Sequence, residues 1–232
     1  MKKIVIALVI LALAVPAFAV SSNVRISQVY GGGGSTATVP LPAFNQDYVE
    51  LYNATNSPVD ISGWALEYGS ATGAWGSFID NYYVFPAGSV IPPCGYILVG
   101  GKLLATYTGA PLPTVDYLAN FSASGTGGKF ALFTTVQVSV ACGLEIPAGS
   151  LVDKVSYGTT TTCAEGTLVG ALSTLTAAIR NQAGYMDTDN NVADFTVGTP
   201  APRNRTSPIN ETCGLPVSTE VQSFGALKAI FR

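Results

Sequence analysis

The sequence predicts an all-β sandwich, and three observations lead there. Short β-branched and aromatic runs recur at intervals of about ten to twenty residues, the spacing of sandwich strands. Clusters of Gly, Pro, Asn and Ser separate them and supply turn chemistry. No series of helical patterns alternates with these runs, as a parallel βαβ sheet would require.

A leader precedes the first run. Met1, Lys2 and Lys3 are followed by the uncharged stretch Ile4 to Val15, and Ala17-Phe18-Ala19 places small residues at the minus-three and minus-one positions of a cleavage site. Residues 1–19 therefore read as a secretory signal peptide cut after Ala19, and the paired lysines look bacterial. The apolar run is about twelve residues, short of the roughly twenty a spanning helix needs, and no later stretch is long and uncharged enough to cross a bilayer. The mature chain is expected to be secreted, extracellular or at the cell surface, with a single domain over 20–204.

Val24 to Tyr30 is the first strand. It runs into Gly31 to Gly34, expected to be a flexible loop: no Gly-Lys-Ser/Thr follows, so it is not a phosphate cradle. Asp47 to Asn53 alternates, with Asp47, Val49 and Leu51 on one face and Tyr48, Glu50 and Tyr52 on the other. Further strands are expected at Val59 to Ile61, Trp64 to Tyr68, Tyr96 to Gly100, Lys129 to Phe133 and Leu151 to Tyr157, with Pro92, Pro93 and Gly95 turning the chain into the Tyr96 run. Leu168 to Arg180 is the one helix-like stretch, rich enough in Ser and Thr to be a decorated loop. Beyond Asn204 the composition changes to Thr, Ser, Pro and Asn. Residues 205–223 read as a linker, and Phe224 to Arg232 as an apolar tail, either a terminal segment or a sorting or anchoring tag.

The chain of 232 residues carries 11 Lys and Arg, 14 Asp and Glu and no His, for a net charge of -3. Only 11% of it is charged, so its surface must be covered largely by Ser, Thr, Asn, Gly and Tyr. The remaining cations are scattered and form no basic stripe, which argues against a nucleic-acid partner. Without histidine, Ser/His/Asp and Cys/His catalysis and histidine-ligated zinc are excluded. Asp47 and Glu50 point to opposite faces of one strand and cannot flank one substrate bond. No catalytic residue and no cofactor is expected, and the chain reads as a non-enzyme.

Three further patterns bear on binding. Asp187, Asp189 and Asn191 stand at positions one, three and five of a calcium-loop-like motif, but Val192 and Gly198 occupy the places where an EF-hand needs Gly and Glu. These side chains are expected to bond nearby backbone N–H groups, and no metal ligand is assigned. Trp75, Phe78, Tyr82 and Tyr83, set among Gly, Ser, Asp and Asn, suit either a fold back over the core edge or stacking on a flat ligand such as a sugar ring. Asn53, Asn120, Asn204 and Asn210 begin N-x-S/T triplets that strand ends and turns explain.

Cys94, Cys142, Cys163 and Cys213 all lie in the exported part, and an even count in an oxidising compartment points to two disulfides. Three pairings are possible. Cys94 with Cys142 and Cys163 with Cys213 is the expected one, because each closes a loop of roughly fifty residues.

Several ordered segments together resemble the lamin-tail domain as found in secreted bacterial proteins. They are Val24-Arg25-Ile26-Ser27-Gln28-Val29-Tyr30, Asp47-Tyr48-Val49-Glu50-Leu51-Tyr52-Asn53, Val59-Asp60-Ile61-Ser62-Gly63-Trp64 and Ile91-Pro92-Pro93-Cys94-Gly95-Tyr96, followed by Val152-Asp153-Lys154-Val155-Ser156-Tyr157-Gly158, the Asp187 to Phe195 motif and Pro200-Ala201-Pro202-Arg203-Asn204. The resemblance implies an immunoglobulin-like β-sandwich and an interaction module with no catalytic residues to carry over. Bacterial members often sit beside secreted nucleases or other hydrolases. They also commonly pair a cysteine matching Cys163 with one just before the acidic motif, where this chain has Gly184-Tyr185. The resemblance thus leaves Cys213 to pair with Cys163 and pin the linker to the sandwich. The function expected is that of a binding or structural module for a protein, glycan or envelope component. The alternatives are an accessory domain or subunit of a secreted hydrolase, and a calcium-dependent glycan-binding module.

Overall fold

The computed structural model describes residues 23–211 and 213; the leader, the last part of the linker and the Phe224 to Arg232 tail lie outside them. Its strands are β1 (Val24–Tyr30), β2 (Tyr48–Asn53), β3 (Val59–Asp60), β4 (Ala65–Ser70), β5 (Tyr82–Val84), β6 (Val90–Ile91), β7 (Tyr96–Gly100), β8 (Tyr117–Leu118), β9 (Gly128–Phe133), β10 (Leu151–Tyr157), β11 (Ala177–Arg180) and β12 (Phe195–Gly198), with one short helix α1 (Asn191–Asp194). A six-stranded sheet in the order β12-β11-β1-β2-β7-β8 faces a four-stranded sheet in the order β10-β9-β4-β5, and β3 pairs β6 at the side. Every pairing is antiparallel except β7 with β8. This is the immunoglobulin-like β-sandwich.

Alternation builds the core. Val49 and Leu51 of β2, Ile97 and Val99 of β7, Leu66 of β4, Phe130 and Leu132 of β9 and Val155 and Tyr157 of β10 are buried in one cluster between the sheets. In β1 the inward residues are Val24, Ile26 and then Val29, a step of three. The register against β2 shifts between Ile26 and Gln28, so a bulge supplies the extra residue. The bulge turns both Ser27 and Gln28 outward, and each donates a hydrogen bond to the Glu50 carboxylate. On the inner side the Ile26 N–H donates to Asp153 at 2.6 Å and the Ile26 carbonyl accepts from Arg180 at 2.8 Å, so charged side chains take over where the ladder breaks.

Neither sheet leaves a bare outer face. Tyr48, Glu50 and Tyr52, on the far side of β2 from the core, are all 0% exposed. Tyr52 and Tyr96 pack with Cys94 and Cys213, and Tyr30, Tyr48 and Leu98 form a second layer with Ala177. Behind the other sheet Trp75 packs on Ala131 and Phe133. This double covering fits the low charge: several strand positions that would face water in a simple sandwich, Tyr30, Tyr48, Tyr52 and Tyr96 among them, are buried aromatics here.

Three expectations are corrected. Leu168 to Arg180 is neither helix nor wholly loop, because its last four residues are β11, held between β1 and β12. Gly31 to Gly34 is a packed joint: a Cβ on Gly33 would meet the Gln46 carbonyl carbon at 2.2 Å, and one on Gly31 the Ser124 carbonyl oxygen at 2.4 Å. The cysteines pair as Cys94–Cys213 and Cys142–Cys163, with Cα separations of 5.4 and 5.8 Å. The loop following β9 folds back over the outer face of its own sheet and brings Cys142 to Cys163, while Cys94, at the turn into β7, lies beside the returning chain end. Loop length could not discriminate: closure cost grows with the logarithm of length, and the two pairings differ by less than about 0.1 kcal/mol in total. The linker is pinned as expected, but through Cys94.

Candidate binding surface

The acidic motif sits inside a knot of charge. Arg180, on β11, is fully buried and pairs with Asp153 at 2.7 Å, Asp187 at 3.4 Å and Asp194 at 3.7 Å. Arg25 pairs with Asp187 at 3.2 Å and also donates to the Tyr185 carbonyl. Asp194 accepts from the Thr188 and Asn190 N–H groups, holding the turn in which Asp189 adopts a positive φ of 54°. Asn191 accepts from the Ser156 N–H and donates to the Lys154 carbonyl and to Glu165.

Of the three calcium-loop candidates, Asp187 is thus engaged by guanidinium groups and Asn191 by backbone and Glu165. Asp153, Glu165 and Asp187 do bring carboxylate oxygens within 4.8 Å of one another, the arrangement a cation favours. Two arginines already supply the positive charge there. Burial, reinforced by the Asp153 charge, pushes the Glu165 carboxyl upward.

Asp47 and Glu50 end up in different surroundings. Asp47 is 2% exposed and accepts the Ala123 N–H at 2.8 Å, and burial pushes its carboxyl up to about 7. Glu50 meets Arg203 at 2.7 Å, and the Arg203 guanidinium lies 3.7 Å over the Tyr96 ring. The strap 199–213 is sewn down around this pair: Arg203 N–H donates to Glu50, Asn210 N–H to the Cys94 carbonyl, and Cys213 closes the disulfide. Beside the strap a groove of about 580 Å³ opens over Gln28, Ile179 and Thr196, one residue from each of β1, β11 and β12 in register.

The N-x-T triplets at 53 and 204 are turns. Asn53 accepts the Thr55 N–H and Asn204 the Thr206 N–H, each two residues on.

Trp75, Phe78, Tyr82 and Tyr83 part company. Trp75 is 0% exposed and edge-on to Phe133 at 5.6 Å, so it folds back onto the core layer. Tyr83 joins the sheets, 6.0 Å from Tyr117 of β8. Tyr82 is half-buried, and Phe78, ahead of the 3-10 turn Ile79–Asn81, stands 71% exposed with Ile79 at 77%. β5 and β8 are the last strands of their sheets, so this is an open edge of the sandwich. Across it the Asn120 amide donates to the Asp80 carboxylate at 2.6 Å. Asp80, Tyr117 and Asn120 were not singled out from the sequence for this surface, since nothing local signals that a turn at 80 meets a loop at 120.

Comparisons agree with this architecture. No curated protein sequence matches the chain. The fold resembles the crystal structure of a DUF4876 family protein from Bacteroides thetaiotaomicron, with a TM-score of 0.53 and 14% identity over 83% of this chain and 75% of that one. The sequence profile of the Lamin Tail Domain matches residues 18–159, more than half of the chain, and the chain belongs to the lamin tail domain family.

Proposed function

We propose that the protein is an exported, non-enzymatic lamin-tail module that holds a protein, glycan or envelope component through the loops at the open edge of the sandwich. The observation that carries this is the contrast between the two kinds of polar group. Glu50, Asp153, Asp187 and Asp194 are spent on internal arginine pairs and backbone N–H groups, whereas Phe78, Ile79, Val84 and Leu118 present exposed apolar side chains where both sheets end. Buried charge paired within the molecule specifies a fold; exposed apolar side chains at a sheet edge offer contact area. The leader and the two disulfides support export.

The test is a screen of the mature, disulfide-intact protein for turnover of nucleic acids, esters and glycans alongside binding to the same panel. Binding without turnover is expected. Turnover by the isolated chain overturns the reading and favours a hydrolase.

A further inference from the structure

The open edge of the sandwich carries more specific chemistry than contact area. We propose that the Phe78 to Asn81 turn and Asn120 form a subsite for a neutral, hydroxyl-rich glycan, which deepens the binding-module reading and rests on it. Three features on one surface lead there.

The first is the ring. Phe78 is 71% exposed, with Ile79 beside it at 77%, although Trp75 is fully buried and Phe85 is at 1%. A phenyl face in water matches the C–H face of a pyranose, which buries apolar area without requiring a charged partner.

The second is the Asp80–Asn120 pair. The Asn120 amide donates to one Asp80 oxygen at 2.6 Å, and this bond is exposed. The bond brings the two polar side chains together across the edge. Among the described residues the second Asp80 oxygen and the Asn120 carbonyl oxygen have no other hydrogen bond. That leaves carboxylate and carbonyl acceptors and a second amide hydrogen side by side, the complement of two vicinal hydroxyls. A small number of oriented polar groups beside an apolar surface is how ligand sites fix orientation.

The third is the charge. Asp80 is the only charged residue of the turn, and Asp116, immediately before β8, pairs with Arg205 at 3.7 Å. Arg205, which also bonds the Tyr117 hydroxyl, offsets Asp116, so Asp80 leaves this edge with no excess of positive charge to hold sulfated or uronate-rich chains or nucleic acid, and neutral sugars suit it better. A protein partner fits less well, because protein interfaces concentrate aromatics at a core depleted of charge with polar groups at the rim. Here the carboxylate stands two residues from the ring, within the same turn.

The experiment uses the full mature chain with both disulfides formed. Retention is measured on insoluble cellulose, chitin and peptidoglycan sacculi, and mobility in gels containing soluble glucan, xylan or mannan. Phe78→Ala and Asn120→Ala are compared with Val138→Ser, which alters another exposed apolar residue, 63% exposed, on a different loop. Thermal melts of all four proteins verify that these surface changes leave the fold intact. The expected result is binding of the wild type to at least one neutral polysaccharide, weakened tenfold or more by Phe78→Ala and by Asn120→Ala and unchanged by Val138→Ser. No retention on any polysaccharide, or equal retention by Phe78→Ala, overturns the subsite. So does Phe78-dependent self-association in sedimentation, which assigns the edge to a second copy. In those cases the wider binding reading stands or falls separately, on the turnover screen.

Discussion

Arg203 shows how a single side chain holds two layers together. Its guanidinium bonds both oxygens of Glu50, which is 0% exposed, and covers the Tyr96 ring. Removing it strands a buried carboxylate, a loss of about 3 kcal/mol on the usual scale for broken buried pairs. Arg203→Ala should therefore lower the urea midpoint clearly, and adding Glu50→Gln should recover part of the loss by removing the charge itself. A double variant no better than the single one would locate the effect in the Tyr96 contact. Asp47 and Glu67 give the molecule a pH dependence of defined sign. Burial pushes both carboxyls to about 7, from ordinary values near 4. Protonation is then favoured by the folded state, so the stabilisation is complete below about pH 4 and fades as pH rises through 7. The urea midpoint should be higher at pH 5 than at pH 8, and Asp47→Asn, which keeps an acceptor for the Ala123 N–H, should narrow that gap. A wild-type midpoint that rises from pH 5 to pH 8 would reverse the assignment.

Among the elements, those readable from sequence are the ones whose own runs are dense in β-branched and aromatic residues. Val24–Tyr30, Tyr96–Gly100 and Leu151–Tyr157 fall where their apolar runs put them. The bulge in β1 leaves its own trace in the sequence, the step of three from Ile26 to Val29. β11 was hidden because Ala177-Ala178-Ile179-Arg180 has neither β-branched density nor a polar face, and its Arg is buried by partners from β1, β10 and the acidic motif. The disulfides were illegible because their loops say nothing about which surface each cysteine reaches. The observed pairing also ranks them. Cys94–Cys213 spans 119 residues and Cys142–Cys163 spans 21, worth about 5 and 3 kcal/mol in chain entropy. Cys94→Ser with Cys213→Ser should lower the melting temperature more than Cys142→Ser with Cys163→Ser, and should speed amide exchange in the strap around Asn210. An equal or opposite order would mean that strain or residual denatured structure outweighs loop length.

For the whole molecule, address and stability are bound together. A domain of this size has a net stability of about 5–15 kcal/mol, and the two disulfides together contribute an amount of the same order. Few exposed charges, aromatics on both outer faces and a strap whose one covalent tie among the described residues is the Cys94–Cys213 bond leave little in reserve once those cysteines are thiols. If the proposed export holds, the leader would deliver the chain to the oxidising compartment in which both disulfides persist. Protein recovered from the outside of cells should begin at Val20, read by intact mass, with no free thiol. The same chain made without its leader in a reducing cytosol should melt well below the oxidised form and recover toward it on oxidation. Equal melting temperatures for the reduced and oxidised chains would show that packing alone sustains the sandwich, and would remove the disulfides from the case for export.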